Sequence, residues 1–278
     1  GLMGAGLLLK TALFPLHFWL PPAHASAPAP VSALLSALVV KASLYILIRL
    51  LLTVFAPAGM GVEQFLGFLG AAAILWGSLQ ALRQIRLKLL VAYSTVAQIG
   101  YIFLALPITE ASVLAGWSAV SYLIISHALA KSAMFLAAGN LLQYGGHDRI
   151  VDLNRIVQRL PITASAFALA GVSIMGLPPS GGFIGKWLLL EAALNLQRWD
   201  LVVIMVIGGF LAAGYVFKVL GYGFTAAHTS DEPVAVPKQM EWVALFLAIG
   251  AILLGFLEPL VMTVVTVGDP FGLYEVSP

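Results

Sequence analysis

The sequence predicts an all-α membrane protein of about eight transmembrane helices, two of them broken. Three observations carry this. Of 278 residues, 61% are hydrophobic and 9% charged, with a mean hydropathy of +1.00, where soluble domains average about 25% charged residues. The apolar residues gather into runs of about 20 or more, enough to cross a bilayer. Pro and Gly interrupt two of these runs, and polar loops separate the rest.

Hydropathy and turn signals set the elements in order. The first span covers about 1–20 and is interrupted at Pro15. Leu20 to Pro30 reads as a loop because Pro21, Pro22, Pro28 and Pro30 crowd it. The following spans run at about 31–55, 62–83, 88–106, 110–143, 161–196, 199–225 and 240–266. The sixth is too long for one regular crossing and contains Gly176-Leu177-Pro178-Pro179-Ser180-Gly181-Gly182. Backbone groups freed at such breaks must be satisfied by neighbours or by water in a cavity. Simple packing kinks are the bland reading of both breaks. A lysine in each broken span favours the broken helices of inverted-repeat transporters.

The loops give an orientation. Arg83, Arg86 and Lys88 share one side by parity with Arg149, Arg155 and Arg159, and with Lys238, whereas the opposite loops carry Arg198 as their only basic residue. The positive-inside rule places the first set in the cytoplasm. The chain opens on Gly1 inside an apolar run, and the expectation is a fragment of a longer protein.

Lys10, Lys41, Lys131 and Lys186 lie within apolar stretches. A charge at mid-bilayer costs roughly 2.5–3.5 kcal/mol on insertion scales, so these lysines are expected to face protein or water. Lys10 lies about one turn before the first break. Lys41 is mid-span, beyond snorkelling reach of either end. His127 and Lys131 are four apart and share a helical face. Lys186 follows the second break. Burial disfavours the charged form of an amine, so an enclosed lysine can give up and regain a proton, and histidine titrates near neutrality already. The accessory candidates are His17 and His24, which flank the first break, Glu191, five residues after Lys186, and Lys218 in the seventh span. For these four, solvent contact or structural ion pairing is the competing reading. His147 and His228 are expected to be solvated in cytoplasmic loops.

Other chemistry is excluded. No cysteine is present, so disulfides and thiolate metal sites are out. No metal-ligand spacing, phosphate-binding loop or nucleophile elbow occurs. The net charge is +2, and no basic tract suggests a nucleic-acid partner. No cofactor and no metal are expected, and no catalytic chemistry of the chain's own.

The motifs carry a resemblance. Lys10-Thr11-Ala12-Leu13-Phe14-Pro15-Leu16-His17-Phe18-Trp19-Leu20-Pro21 resembles the broken seventh helix of the antiporter-like membrane subunits. These occur in respiratory complex I, membrane-bound hydrogenases and multisubunit sodium/proton antiporters. Ser32 to Arg49 is similar to the eighth helix, Leu90 to Tyr101 to the tenth, Ser126 to Gly139 to the eleventh, and Gly176 to Lys186 to the broken twelfth. The resemblance covers about residues 1–225 and looks like the C-terminal half of a fourteen-helix, inverted-repeat fold. It implies that 1–55 is the last two helices of the first repeat and 56–226 the second repeat. Residues 227–278 would then be a cytoplasmic loop, a final helix and an outer-side tail. The family's fifth-helix glutamate, which pairs with the lysine at the position of Lys10, is missing from this sequence.

By the same resemblance, Lys10 is the switching lysine on the cytoplasmic side. Lys41 relays inward, His127 and Lys131 form the central axis, and Lys186 is the terminal group on the outer side. Lysine at that last position argues against the paralogues that carry glutamate there, and the first motif looks closest to the D-type antiporter subunit. The function implied is proton translocation in a multisubunit monovalent cation/proton antiporter of the plasma membrane. Its partners would be other membrane subunits, lipid, H+ and, as a second candidate ion, Na+. The alternative is the equivalent subunit of a redox-driven complex, NADH:quinone oxidoreductase or membrane-bound hydrogenase. A solute symporter would need convergent polar groups at the breaks, where the sequence has lysines. A structural scaffold would tolerate loss of Lys41 or Lys186 without loss of flux.

Overall fold

The computed structural model describes residues 1–55, 61–153, 155–226, 234–265 and 267. They are helical almost throughout, and no strand occurs among them. The first broken span is α1 (Leu2–Thr11) and α2 (Leu20–Ser26). One continuous helix follows, made of α3 (Ala29–Leu34), a π-helical segment Leu35–Val39, α4 (Val40–Leu50) and a second π segment Leu51–Phe55. Next come α5 (Val62–Arg83), α6 (Leu87–Leu104), the short α7 (Leu106–Ala111) and the long α8 (Val113–Gly145). The turn α9 (Ile156–Arg159) leads into the second broken span, α10 (Pro161–Met175) and α11 (Gly181–Asn195). The last elements are α12 (Trp199–Phe224), α13 (Lys238–Leu253) and α14 (Glu258–Val265).

Among the described residues, six stretches are long and apolar enough to cross a membrane: Ala29–Val54, Val62–Arg83, Leu87–Thr109, Val113–Gly145, Trp199–Phe224 and Lys238–Phe256. Together with the two broken pairs they recover the eight expected spans. Three details differ. The expected loop from Leu20 is helix α2, because Pro21 and Pro22 fall in its first turn, where a missing N–H costs nothing. The fifth span begins at Val113, capped by the Ser112 side chain, and not at 110. The eighth span is bent, since Leu254–Phe256 forms a 3-10 turn before α14. Pro259 there cannot donate to continue the ladder.

α8 is the hub. It packs against α3, α6, α10, α11 and α13. α5 and α6 lie closest together: a Cβ added to Gly70 would sit 2.7 Å from the Gly100 carbonyl. Small residues allow such close backbone approach in lipid.

The basic loops meet on one side, as parity required. Arg86 Nε donates to Asp148 Oδ1 at 2.9 Å. Leu87 N donates to the Asp148 carbonyl at 2.7 Å, and Ile150 N to the Ile85 carbonyl at 2.9 Å. Arg155 N reaches Thr225 O at 2.8 Å, and Val234 N reaches Tyr144 O at 3.0 Å. On the opposite side Arg198 pairs with Asp200 at 2.8 Å.

Candidate functional site

A line of polar side chains runs through the apolar interior. Lys41 follows the π segment Leu35–Val39 directly. It is 5% exposed, and its Nζ donates to the carbonyl of Ser36, five residues back. π turns of this kind recur at functional sites. The Ser36 hydroxyl meets the Thr95 hydroxyl at 3.2 Å, and Thr95 Oγ1 donates to the Val91 carbonyl at 3.2 Å.

That same carbonyl accepts from Lys131. Lys131 is fully buried. Its Nζ donates to Val91 O at 2.9 Å and to Ser94 Oγ. Val91, Ser94, Thr95, Gln98 and Tyr101 therefore make one polar face of α6, at spacings of three and four. The resemblance over Leu90 to Tyr101 implies no role for these residues.

His127 lies one turn from Lys131 on α8, also buried. Neither ring nitrogen has a protein hydrogen-bond partner, and the ring is within electrostatic reach of Lys41, Lys131 and Lys186. His24 is not the solvated loop residue that was the competing reading. It is fully buried on α2 and stacks on Phe135 at 4.4 Å. Both its nitrogens lack protein partners, and it stands within electrostatic reach of Lys131, Lys41 and Lys88. Lys88 Nζ donates to the Ala27 carbonyl just past α2.

Lys186 closes the line at the second break. Gly176 turns the chain with φ +83, and a Cβ there would lie 2.6 Å from the Lys186 side chain. Lys186 reaches back from α11 to the end of α10. Its Nζ donates to Ile174 O at 2.8 Å and Met175 O at 3.3 Å, and lies 4.3 Å over the Tyr101 ring. A cation at a helix C-terminus also meets the negative end of the helix dipole. Ser173 Oγ accepts from Gly182 N at 3.2 Å and meets Ser126 Oγ at 3.0 Å. A cavity of about 160 Å³ adjoins Lys186, lined by Tyr101, Phe183, Trp187, Met205 and Val206.

The remaining candidates stand apart from this line. Lys10, in the last turn of α1, is exposed rather than enclosed, because α1 packs on α4 with another face. His17 is nearly buried and stacks on Phe14 at 5.5 Å. Glu191 is exposed and forms no ion pair among the described residues. Lys218 Nζ donates to Leu82 O at 2.8 Å and Gln84 O at 2.7 Å, closing the C-terminus of α5. His147 is partly buried rather than free in solvent, and His228 lies outside the described residues. Glu241 escaped the sequence reading. It is fully buried; Thr163 N and Oγ1 donate to its carboxylate at 3.3 and 3.0 Å, and Lys238 Nζ pairs with it at 3.0 Å. A lone acid three residues after Lys238, at the start of the last span, was the available signal. Among the described residues, no group of three or more His, Cys, Asp or Glu is placed to hold a metal ion.

Broken membrane helices joined by a buried file of lysines and histidines define a multi-helix membrane protein built around interior charge. Residues 1–212 match the family described as NADH:quinone oxidoreductase/Mrp antiporter, TM, and the chain belongs to that family. NADH-quinone oxidoreductase subunit N of Desulforudis audaxviator (strain MP104C) is 37% identical over 286 residues, covering 97% of this chain and 56% of the relative. A chain of respiratory complex I from Thermus thermophilus with bound aureothin aligns with a TM-score of 0.73 at 28% identity, covering 93% of this chain and 56% of its own. A chain of the Mrp complex from Dietzia sp. DQ12-45-1b aligns with a TM-score of 0.87, covering 99% and 59% respectively. Its identity is 22%, so that likeness is one of fold. The chain thus spans a little over half the length of these relatives.

Proposed function

We propose that this chain is a proton-translocating membrane subunit of a redox-driven complex of the NADH:quinone oxidoreductase kind. The carrying observation is the file from the buried Lys41 through the buried Lys131 and His127 to the half-buried Lys186, with hydroxyls of α6 between its members. The redox-driven reading stands ahead of the antiporter reading. The relative at 37% identity is named for NADH-quinone oxidoreductase, whereas the antiporter structure supports fold alone at 22%.

In this proposal Lys41, His127, Lys131 and Lys186 pass protons along the file, and His24 joins the central group. Lys10 keeps the switching role its motif implies, against a face this chain leaves open. His17 is an accessory beside the first break. Lys218 and Glu191 take no part: the first caps a helix, and the second forms no ion pair among the described residues and has no role implied by a motif. The division into repeat halves at 1–55 and 56–226, insertion in the plasma membrane with the basic loops inward, and assembly with other membrane subunits belong to the same reading.

The test is proton pumping in proteoliposomes holding the whole complex, with electron transfer and assembly measured on the same preparations. Lys41→Ala and Lys186→Ala are expected to assemble and to lose pumping driven by quinone reduction. Unchanged pumping in both would leave the lysines as structural charges. Flux driven by a sodium gradient, with no response to redox substrate, would restore the antiporter reading.

A further inference from the structure

Lys131 and Lys186 have no direct bond to each other, and one buried hydroxyl stands between their partners. Tyr215 of α12 is fully buried. Its hydroxyl has no hydrogen-bond partner, yet it faces the side chains of Gln98 and Ser94, one turn apart on α6. Each neighbour is already tied to one lysine. Ser94 Oγ accepts from Lys131 Nζ. Gln98 Nε2 donates to the Ile174 carbonyl at 3.4 Å, the carbonyl that Lys186 Nζ holds at 2.8 Å.

We propose that Tyr215 is a positioning residue whose single phenolic hydrogen is shared between Gln98 and Ser94, linking the state of Lys186 to that of Lys131. This rests on the relay reading above. A buried hydroxyl has one hydrogen to give, and two acceptors make it a two-position element. While Lys186 holds Ile174 O, the Gln98 amide shares that carbonyl at long range. When Lys186 releases it, Gln98 closes on the carbonyl and its own oxygen shifts relative to Tyr215. The phenol then turns to Ser94 Oγ, whose own hydrogen goes to Val91 O at 2.9 Å, and takes its second lone pair beside Lys131. No covalent bond changes and no net charge moves on Tyr215. Such a bistable element, biased from both ends, is what coupling between two sites requires.

The experiment compares the assembled complex carrying Tyr215→Phe, Gln98→Leu or both with Lys131→Ala and Lys186→Ala. Tyr215→Phe keeps the ring and its packing. It should lower proton pumping by about tenfold, at the scale of one residue that modulates coupling between two sites, with assembly intact. The double variant should be no worse than either single one. In redox-driven infrared difference spectra, a phenol band absent from Tyr215→Phe should also vanish in Lys186→Ala. Wild-type pumping in Tyr215→Phe beside a dead Lys186→Ala overturns the link and leaves the relay standing. Multiplied losses in the double variant also overturn it. Pumping that survives in Lys131→Ala and Lys186→Ala overturns both readings. Should Tyr215→Phe fail to assemble, wild-type pumping in Gln98→Leu overturns the link.

Discussion

Two lysines that look alike in sequence separate once their carbonyl partners are known. Lys186 and Lys218 each lie inside an apolar span. Lys186 grips the broken end of its own span, beside Tyr101 and the interior file. Lys218 grips the end of a different helix at the loop side. Substitution by methionine, which keeps the apolar stem, should sort their neighbours by role. Lys131→Met should assemble and fail to pump, because the titratable amine between Val91 O and Ser94 is gone while Thr95 Oγ1 still donates to that carbonyl. Lys218→Met should pump normally per assembled complex, yet unfold more readily by roughly 1 kcal/mol, the net worth of a hydrogen bond to part-buried carbonyls. Pumping assays and thermal melts on the same membranes read both outcomes. Lys41, Lys131 and His127 were legible because charge in an apolar run is costly wherever it occurs. His24 was legible only as an accessory candidate and its burial was not, since four prolines around it read as a loop, while the fold uses two of them to start a helix.

The breaks were legible as elements, and what they are made of was not. Pro and Gly announce an interruption, but they do not say which group satisfies the freed carbonyls. At α1 it is the Trp19 indole, which donates to Leu9 O at 2.7 Å. At α10 it is Lys186. Gly182 fits this second junction because any side chain there would strike the Ser173 carbonyl. Gly182→Ala should therefore lower stability by about 1–3 kcal/mol through overpacking, and lower the yield of assembled complex on native gels. A normal yield and melting temperature would show that the junction has slack. The π segment beside Lys41 gave no sequence signal at all. Leu35-Ser36-Ala37-Leu38-Val39 has the composition of any membrane helix, and its widened turn lies packed against α8.

At the scale of the whole molecule, the count of spans and the sidedness of the loops followed from hydropathy and parity. The bonding between loops did not, because it joins residues 60 or more positions apart. Arg86 and Arg149 face each other as an antiparallel pair, in a chain without cysteine. An Arg86→Cys/Arg149→Cys variant should therefore form one defined disulfide, within the Cα separation of about 4.4–6.8 Å that such bridges need. Oxidised and reduced forms should pump equally, and a loss confined to the oxidised form would show that this face moves during turnover. The expectation of stillness comes from the backbone itself. Three loops of one face are joined through main-chain bonds, so the surface is braced as a plate rather than hinged as a pair of jaws. A carrier that rocks open must tear such stitching in every cycle. On the proposed relay, the working parts are side chains small enough to turn behind a closed wall.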